Sequence, residues 1–313
     1  HDSQTTALLS SPAVTNQATP NGSLSSDPVY NNIANVDSQR LPGEIPVFWH
    51  IPKAGGGSFK EIMGQCLGLT LGCELGGEQS HAADTSLQVF EIAGKRVVNV
   101  DTYKPSGIEK ARNMNLGSSG LADVIVSPYL HEVSTLFSPN RKGRVFVVLR
   151  DPIERAVSAF GFQEELFLKQ NPGKTFLTLD EYAKSSKIEN NWLVRFITNR
   201  LSGPLTPEDL ELAKEILRAK CLVGLLDKKE ESWQRFLQYF GWDVSKTGFE
   251  ERIQQCTREN LAEAPSHRKF SRQVVQRDGP TRALLMAQNA LDIELYLYAI
   301  ELFDIQKSLF VTQ

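Results

Sequence analysis

Two segments of this chain, residues 47–59 and residues 145–160, each contain a short apolar run, then polar or glycine residues, then a helical pattern. An apolar run rich in β-branched and aromatic residues predicts a strand that is buried on both faces. Strands that alternate with helices form a parallel sheet through right-handed crossovers. The two segments therefore restrict the chain to an α/β fold in which both loops follow the carboxyl ends of strands, where such sheets bind ligands.

The first segment predicts an anion-binding loop. Residues 47–51 form the strand, and Pro52 ends it because proline cannot donate to a strand ladder. The glycines at 55–57 can adopt positive φ and lack Cβ atoms, so backbone N–H groups can close around a phosphate. Ser58 and Glu61 fit a capping box at the start of a helix, and a helix N-terminus attracts anions.

The second segment has the same plan without the glycines. Residues 144–149 form a continuous apolar strand after the first residue, and Arg150 stands at its carboxyl end. Asp151 and Pro152 are favoured at the N-cap and the first position of the following helix. Ser158 lies two turns into that helix. A strand-end arginine needs an anionic partner, so this segment predicts a second phosphate site.

Two such loops in one chain indicate a ligand with two separate phosphate groups. Lys53 stands at the entrance of the first loop as a point charge, and Arg150 offers a guanidinium at the second. Either segment alone is also compatible with an ordinary strand-turn-helix connection. The pair favours a bisphosphate ligand bound at one edge of the sheet.

The two motifs resemble those of the sulfotransferases that use 3′-phosphoadenosine 5′-phosphosulfate (PAPS) as donor. Residues 50–58 look like the 5′-phosphosulfate loop in the form typical of Golgi carbohydrate sulfotransferases of the heparan and chondroitin type. Residues 149–160 look like the 3′-phosphate motif. Residues 222–241 and 289–303 also resemble segments of this family, and all four stretches occur in the order expected for it. The resemblance implies a P-loop-like three-layer α/β fold with a central parallel sheet flanked by helices. It also implies PAPS as donor, adenosine 3′,5′-bisphosphate (PAP) as product, and no metal.

The resemblance implies which residues of this chain bind the donor. They are Lys53, Ala54, Gly55, Gly56, Gly57, Ser58, Phe59, Arg150, Ser158, and the basic pair Arg268 and Lys269. Lys53 is also expected to stabilise charge on the departing phosphate. Ala54 and Gly57 stand where threonines are common in the family, which is a mild departure from its pattern.

Transfer of a sulfuryl group also requires a base that deprotonates the acceptor hydroxyl. The natural place for it is the carboxyl end of the strand at residues 123–127. Many relatives carry Gly-His-aromatic there, whereas this chain has Ser-Pro-Tyr at residues 127–129. His131 is therefore the first candidate and Glu132 the second, because an imidazole titrates near neutral pH. His50 is expected to pack or hydrogen-bond near the loop.

Composition divides the chain at residue 44. Residues 1–44 are rich in Ser, Thr, Asn, Gln and Pro and contain no Lys, which predicts a disordered tail or stem. Residues 45–313 form the predicted sulfotransferase domain, with a helical acceptor-side segment at about residues 161–200. A polar stem resembles the lumenal stem of a Golgi membrane protein whose anchor is missing. The only contact with a membrane that we expect is therefore through such an anchor. Cytosol is the alternative compartment.

The pattern of apolar residues predicts the order of the elements. Strands are expected at 45–51, 96–100, 123–127, 144–149 and 221–225, and helices at 58–67, 107–114, 152–168, 179–185, 190–199, 207–219, 229–240 and about 280–304. The four cysteines allow three disulfide pairings, and reduced core thiols are equally compatible with the sequence. A net charge of −3 argues against a nucleic-acid partner.

The alternatives belong to different classes. A nucleotide kinase of P-loop type would carry its lysine after the glycines, whereas Lys53 precedes them. A non-catalytic nucleotide-binding relative would show damage at Lys53, Arg150 or Ser158, and all three are present. For the acceptor, the resemblance favours a carbohydrate, with a small alcohol or sterol as the alternative.

Overall fold

A computed structural model describes residues 27–75, 81, 83–185, 188–242, 248–262 and 279–310. Within these residues seven strands form one sheet: β1 (Ile45–Trp49), β2 (Leu71–Gly72), β3 (Val89–Ile92), β4 (Lys95–Val98), β5 (Val124–Ser127), β6 (Gly143–Leu149) and β7 (Cys221–Leu225). Their spatial order is β3-β4-β2-β5-β1-β6-β7. All neighbours are parallel except β3 and β4, which pair in antiparallel fashion. The α/β fold with a central, mostly parallel sheet is thereby confirmed.

Helices connect the strands and cover the sheet. In chain order the described helices are α1 (Pro28–Asn32), α2 (Gly56–Glu61), α3 (Pro105–Asn113), α4 (Leu116–Ser119), α5 (Leu130–Ser134), α6 (Pro152–Gln170), α7 (Leu179–Lys184), α8 (Trp192–Thr198), α9 (Pro207–Lys220), α10 (Lys229–Phe240), α11 (Glu250–Ala262), α12 (Pro280–Gln288) and α13 (Ala290–Ile305). A π-helical turn, Ile62–Cys66, continues α2. No described helix has the length and apolarity that a membrane span requires.

The sheet is buried on both faces, as its apolar strands predict. Alternate residues of β1 point to opposite sides, so Val47 and Trp49 belong to one hydrophobic cluster and Phe48 belongs to the other. Phe48 stacks on Phe146 of β6, with ring centroids 4.9 Å apart. Two helical layers enclose the sheet, and each has its own core.

The register of the central strands decides where the functional loops lie. Phe48 of β1 is level with Phe146 of β6 on one side and with Val126 of β5 on the other. Because the three strands are parallel, the loops that follow them leave the sheet at the same edge, here called the carboxyl edge. The two predicted phosphate loops are therefore neighbours in space.

The segment before β1 differs from its prediction. Residues 27–44 are not a disordered tail: α1 forms within them, and Val29 and Ile33 are fully buried in the core. The fully buried guanidinium of Arg144 fastens the segment, donating to Glu44 Oε2 at 2.7 Å and to the carbonyl of Asn35 at 3.1 Å. The segment is polar overall but contains a few apolar side chains, and these stabilise it by packing against the sheet. Residues 1–26 lie outside the described part of the chain.

One predicted strand near the end of the sheet has a partner that was not predicted. The strand expected at 96–100 is β4, and it forms a hairpin with β3, which the sequence analysis missed. Ala93 and Gly94 both have positive φ, at 51° and 74°, as a two-residue hairpin turn requires, but alanine is an uncommon residue for such a turn.

The predicted long C-terminal helix is broken into α12 and α13. The break occurs because Asn191 Oδ1, distant in sequence, accepts hydrogen bonds from the amides of Leu291 and Asp292 at the start of α13. That carbonyl oxygen caps the second helix. A helix cap supplied by another part of the chain leaves no local signal in the sequence.

One disulfide selects among the pairings that the sequence left open. Cys66, at the end of the π-helical turn after α2, is bonded to Cys256 of α11 with a Cα–Cα distance of 5.7 Å. Cys73 and Cys221 are buried free thiols, and burial raises the pKa of each to about 12. Both therefore stay protonated and act as core residues. The disulfide ties the helix behind the glycine loop to the outer helical layer.

Candidate active site

The glycine loop between β1 and α2 is tightly packed at its centre. Gly55 is the N-cap of α2 and has φ of 82°, and a Cβ there would lie 2.4 Å from Leu226 Cδ1. A Cβ on Gly56 would lie 2.1 Å from His50 Cδ2. Both contacts are shorter than any real Cβ allows, so these two positions require glycine. The loop backbone is held close to the strand end from which it leaves.

The open side of the loop lies at Gly57, where an added Cβ would meet no atom within 4 Å. Gly57 is exposed, so the first turn of α2 has open space on one side, at the helix end that favours anions. Ser58 lies within α2 rather than at its N-cap, so the predicted capping box with Glu61 is wrong. Glu61 instead pairs with Lys95 at 2.6 Å.

Two of the predicted donor residues serve the core. Phe59 is fully buried, and its ring packs edge-on against Trp233 and Phe236 at centroid distances of 6.0 and 5.9 Å. Ala54 is also buried, with 1% of its surface exposed. The side chain of Phe59 therefore anchors α2 beneath the loop. The sequence motif therefore contains both residues that form the loop and residues that pack beneath it, and the sequence alone does not distinguish them.

The second motif lies against the first. Arg150 follows β6 and donates from Nη1 to the carbonyl of Lys53 at 3.2 Å. Its Nε and Nη2 lie 3.3 and 3.2 Å from Glu154 Oε2. Asp151 caps α6 as predicted, accepting from the amides of Ile153 and Glu154 at 2.9 Å. The strand-end guanidinium thus joins the two predicted phosphate loops.

Helix α6 brings the remaining donor residues together. Ser158 and Phe162 lie four residues apart and therefore share a helix face. The Lys53 ammonium lies 4.4 Å from the centroid of the Phe162 ring. Lys53 itself has φ of 66°, an uncommon conformation for a residue with a side chain. Lys53 and Arg150 are consequently adjacent beside the glycine loop, and Ser158 lies one turn before Phe162 on the same face of α6.

His50 supports the loop as predicted. Its Nδ1 lies 2.9 Å from the hydroxyl of Tyr103, and its ring touches the space that a side chain at Gly56 would need. Burial, together with the positive charge of Lys60, lowers the pKa of His50 to about 4. The ring is therefore neutral at neutral pH and holds the loop in place.

The structure argues against His131 as the base. Its ring lies in the helical layer, with Nε2 2.9 Å from the carbonyl of Ile197 and Nδ1 3.2 Å from Asp27 Oδ2. A carbonyl and a carboxylate are both acceptors, so both ring nitrogens must carry protons. Burial by itself lowers the pKa of His131, but the hydrogen bond and charge of Asp27 outweigh burial and raise it. An imidazolium with both N–H groups engaged cannot accept a proton.

The Asp27–His131 pair predicts a pH-dependent stability. The raised pKa of His131 contributes stability that is complete below about pH 6.5 and is lost as the pH rises through the folded-state pKa. The lowered pKa of Asp27, where His131 outweighs desolvation, contributes stability that is lost only in acid. Because His50, whose pKa is lowered, acts in the opposite direction, the contribution of the pair is measured as a difference between parent and variant, and it should be roughly 1 kcal/mol larger at about pH 5.5 than at about pH 8.5.

Asp27→Asn is the matched comparison, because it keeps the shape and removes the charge. The free energy of unfolding in urea should therefore fall more in the variant at about pH 5.5 than at about pH 8.5. An unchanged pH dependence in Asp27→Asn would show that other groups are responsible for it.

Glu132, the second candidate, lies in α5 next to His131 and is half-buried. Arg268 and Lys269 lie outside the described residues. Among the residues that the structure describes, no group of three or more His, Cys, Asp or Glu side chains could hold a metal ion.

The sequence analysis missed an ionisable cluster at the same edge of the sheet. Lys60 of α2 forms an ion pair with Glu74, which follows β2. Tyr103, which contacts His50, and Asp101 come from the segment after β4. The only signal in the sequence was that these residues follow strands, and β2 is two residues long, too short to be recognised from a pattern.

Comparisons with known proteins give a distant likeness among solved structures. No protein-family model matches the chain, and no curated protein matches it. Among solved structures, the chain is similar to the mouse sulfotransferase SULT7A1 complexed with PAP, with 13% sequence identity and a TM-score of 0.40. The match covers 88% of this chain and 94% of the mouse protein. A likeness this distant carries no argument about function, which depends on the residues of the site.

Proposed function

We propose that this chain is a sulfotransferase that moves the sulfuryl group of PAPS to an acceptor hydroxyl. The observation that carries the proposal is the hydrogen bond of 3.2 Å from Arg150 Nη1 to the carbonyl of Lys53. It joins a glycine loop with open space at Gly57 to a strand-end guanidinium. Two anion sites at neighbouring strand ends match a nucleotide that carries phosphates at both its 5′ and 3′ positions.

Each half of the site has a distinct role in this proposal. The backbone of residues 55–58 and the Lys53 ammonium hold the 5′-phosphosulfate, and Lys53 offsets the charge that grows on the departing phosphate. Arg150 and Ser158 hold the 3′-phosphate through charge-assisted hydrogen bonds. The reaction resembles phosphoryl transfer in that positioning and electrostatics supply most of the catalysis.

The acceptor and the compartment are proposed on other grounds. A carbohydrate acceptor is supported by the resemblance of residues 50–58 to the loop of the Golgi carbohydrate sulfotransferases. A Golgi lumenal location is supported by the disulfide between Cys66 and Cys256, because disulfides persist in oxidising compartments. The sequon at Asn21 agrees with secretion.

Ligand binding and turnover test the proposal together. Isothermal titration of the protein should show PAP binding at least about tenfold more tightly than AMP, because only PAP reaches Arg150. Labelled PAPS should transfer label to one member of a panel of glycans, small alcohols and sterols. Equal affinity for PAP and AMP, or tighter binding of ATP than of PAP, would contradict the donor assignment.

A further inference from the structure

The segment that follows β4 is fixed at the carboxyl edge of the sheet. The buried hydroxyl oxygen of Thr102 lies 2.7 Å from the carbonyl of Val126 in β5 and 3.0 Å from that of Gly72 in β2. On the other side, a Cβ added to Gly107 of α3 would lie 1.9 Å from the carbonyl oxygen of Asp101. The backbone of Asp101 is thus held between two strands and a helix. Rigid anchoring of this kind is what a catalytic side chain needs.

The carboxylate of Asp101 is only partly satisfied. Oδ1 accepts a hydrogen bond from the amide of Tyr103 at 3.0 Å. Oδ2 is buried and has no hydrogen-bond partner, and Lys104 Nζ lies 3.8 Å from it, beyond hydrogen-bond distance. The Asp101 side chain keeps 12% of its surface exposed. A buried carboxylate oxygen without a donor is costly, and such exceptions call for an explanation.

The same segment touches the donor loop. The hydroxyl of Tyr103, two residues after Asp101, lies 2.9 Å from His50 Nδ1. His50 in turn packs against Gly56 in the glycine loop. Asp101 is therefore separated from the loop that would hold the 5′-phosphosulfate by two residue contacts. Asp101 follows β4 and the glycine loop follows β1, and both strands run parallel in one sheet, so the two lie at its carboxyl edge.

The pKa values of two carboxylates at this edge, Glu74 and Asp101, are shifted in opposite directions. Burial raises the pKa of Glu74, but the adjacent ammonium of Lys60 outweighs it and lowers the pKa overall. Burial, with the negative charge of Glu74, raises the pKa of Asp101 to about 6, although the amide of Tyr103 opposes this. Paired carboxylates whose pKa values are separated in this way usually have different roles. Glu74 stays ionised in its ion pair, and Asp101 is the stronger base.

The other titratable groups around Asp101 do not compete for the role. The phenol of Tyr129, from the loop after β5, has a pKa raised to about 12 by burial and by the charges of Glu132 and Asp101. Tyr129 therefore lies within reach of both carboxylates and remains protonated. On its own segment, Asp101 is accompanied by the cation of Lys104 and by Tyr103, whose pKa burial raises.

We infer that Asp101 is the general base that deprotonates the acceptor hydroxyl, an inference that rests on the proposed sulfotransferase function. The carboxylate takes the hydroxyl proton as the acceptor oxygen forms its bond to sulfur. The bond between sulfur and the bridging oxygen of the 5′-phosphate breaks, and its electron pair leaves with PAP. The proton on Asp101 then passes to solvent. His131, which the sequence favoured and which follows β5, is replaced by a residue that follows β4, two strands away in the sheet.

The decisive variant is Asp101→Asn, which keeps the shape and removes the basic oxygen. We expect kcat to fall by about 10²-fold or more, as is typical for loss of a general base, with PAP affinity within about twofold of the parent. The parent protein should show a kcat/KM that falls below about pH 6 as Asp101 is protonated. The variant should lose this acid limb, a change that a merely structural residue would not produce. Asp304→Asn, at an exposed aspartate of α13, is the matched control and should keep both rate and acid limb. Glu132→Gln tests the other candidate base.

Several outcomes separate the base from the proposed function. Near-parental kcat with an unchanged acid limb in Asp101→Asn overturns the assignment of the base while leaving the sulfotransferase intact. Loss of the acid limb in Glu132→Gln moves the base to Glu132. If Asp101→Asn does not fold, an acid limb that is absent from the parent profile overturns the assignment. A parent protein that binds no PAP and transfers no label overturns the proposed function itself.

Discussion

Lys53→Ala is expected to lower kcat by about 10²–10³-fold, the usual loss when a group that stabilises transition-state charge is removed. The ammonium lies 4.4 Å from the centroid of the Phe162 ring, on the helix that carries Ser158. In the proposed reaction its role is to offset the charge that develops on the bridging oxygen as the sulfur–oxygen bond breaks. Because this charge grows only in the transition state, the loss should appear in kcat and not only in KM. Steady-state rates with labelled PAPS measure both.

A glycine variant separates this effect from folding. Lys53 has φ of 66°, which costs free energy for any residue with a Cβ and none for glycine. Lys53→Gly should therefore be stable to within about 1 kcal/mol of the parent and yet as inactive as Lys53→Ala. Lys184→Ala removes an exposed lysine of α7 that pairs with Asp180, and it should leave kcat unchanged. Near-normal kcat with weakened PAPS binding in Lys53→Gly would show that Lys53 only positions the donor.

Arg150→Ala is expected to weaken PAP binding by about 10- to 150-fold and to change AMP binding little. The range follows from about 1.5–3 kcal/mol for a hydrogen bond to a charged group, at 1.4 kcal/mol for each factor of ten. In the structure Arg150 donates to Glu154 and to the carbonyl of Lys53, so its fork is already directed towards the loop. A 3′-phosphate would compete with the Glu154 carboxylate for the same donors. Titration calorimetry with both nucleotides gives the selectivity directly.

Charge and geometry at Arg150 can be tested separately. Arg150→Lys keeps the charge but loses the planar fork, so it should recover only part of the selectivity for PAP. Arg218→Ala removes an exposed arginine from α9 just before β7, at the opposite edge of the sheet, and should change neither affinity. If Arg150→Ala binds PAP and AMP with the same ratio as the parent, the 3′-phosphate lies elsewhere.

The predicted donor loops show how far local sequence can define a site. The apolar runs before Lys53 and Arg150 were recognised as strands because a strand buried on both faces needs such residues wherever it lies in the sheet. Parallel pairing then placed both loops at one edge, and the hydrogen bond from Arg150 to the carbonyl of Lys53 confirms that they meet. The placement of Arg268 and Lys269 stays a prediction, as do the donor, the acceptor and the compartment.

The choice of a candidate base shows where sequence reasoning is limited. The choice of His131 rested on its position after β5 and on the ordinary pKa of an imidazole. It did not include Asp27, whose carboxylate keeps the ring protonated from a segment that was predicted to be disordered. The same limit hid Asp101, because its raised pKa depends on burial and on Glu74, which follows a different strand.

The sequence by itself determined the α/β class, the positions of the central strands and the loops that follow them. Those features depend on residues that are close together in the chain, and so their patterns can be read along it. Only the tertiary structure decided that Phe59 belongs to the core, that residues 27–44 are folded, and that Tyr103, close to Asp101 in the chain, contacts His50 beside the glycine loop. Burial and electrostatic neighbours come from residues distant in sequence, and these set the protonation state of each side chain and hence the chemistry it can perform.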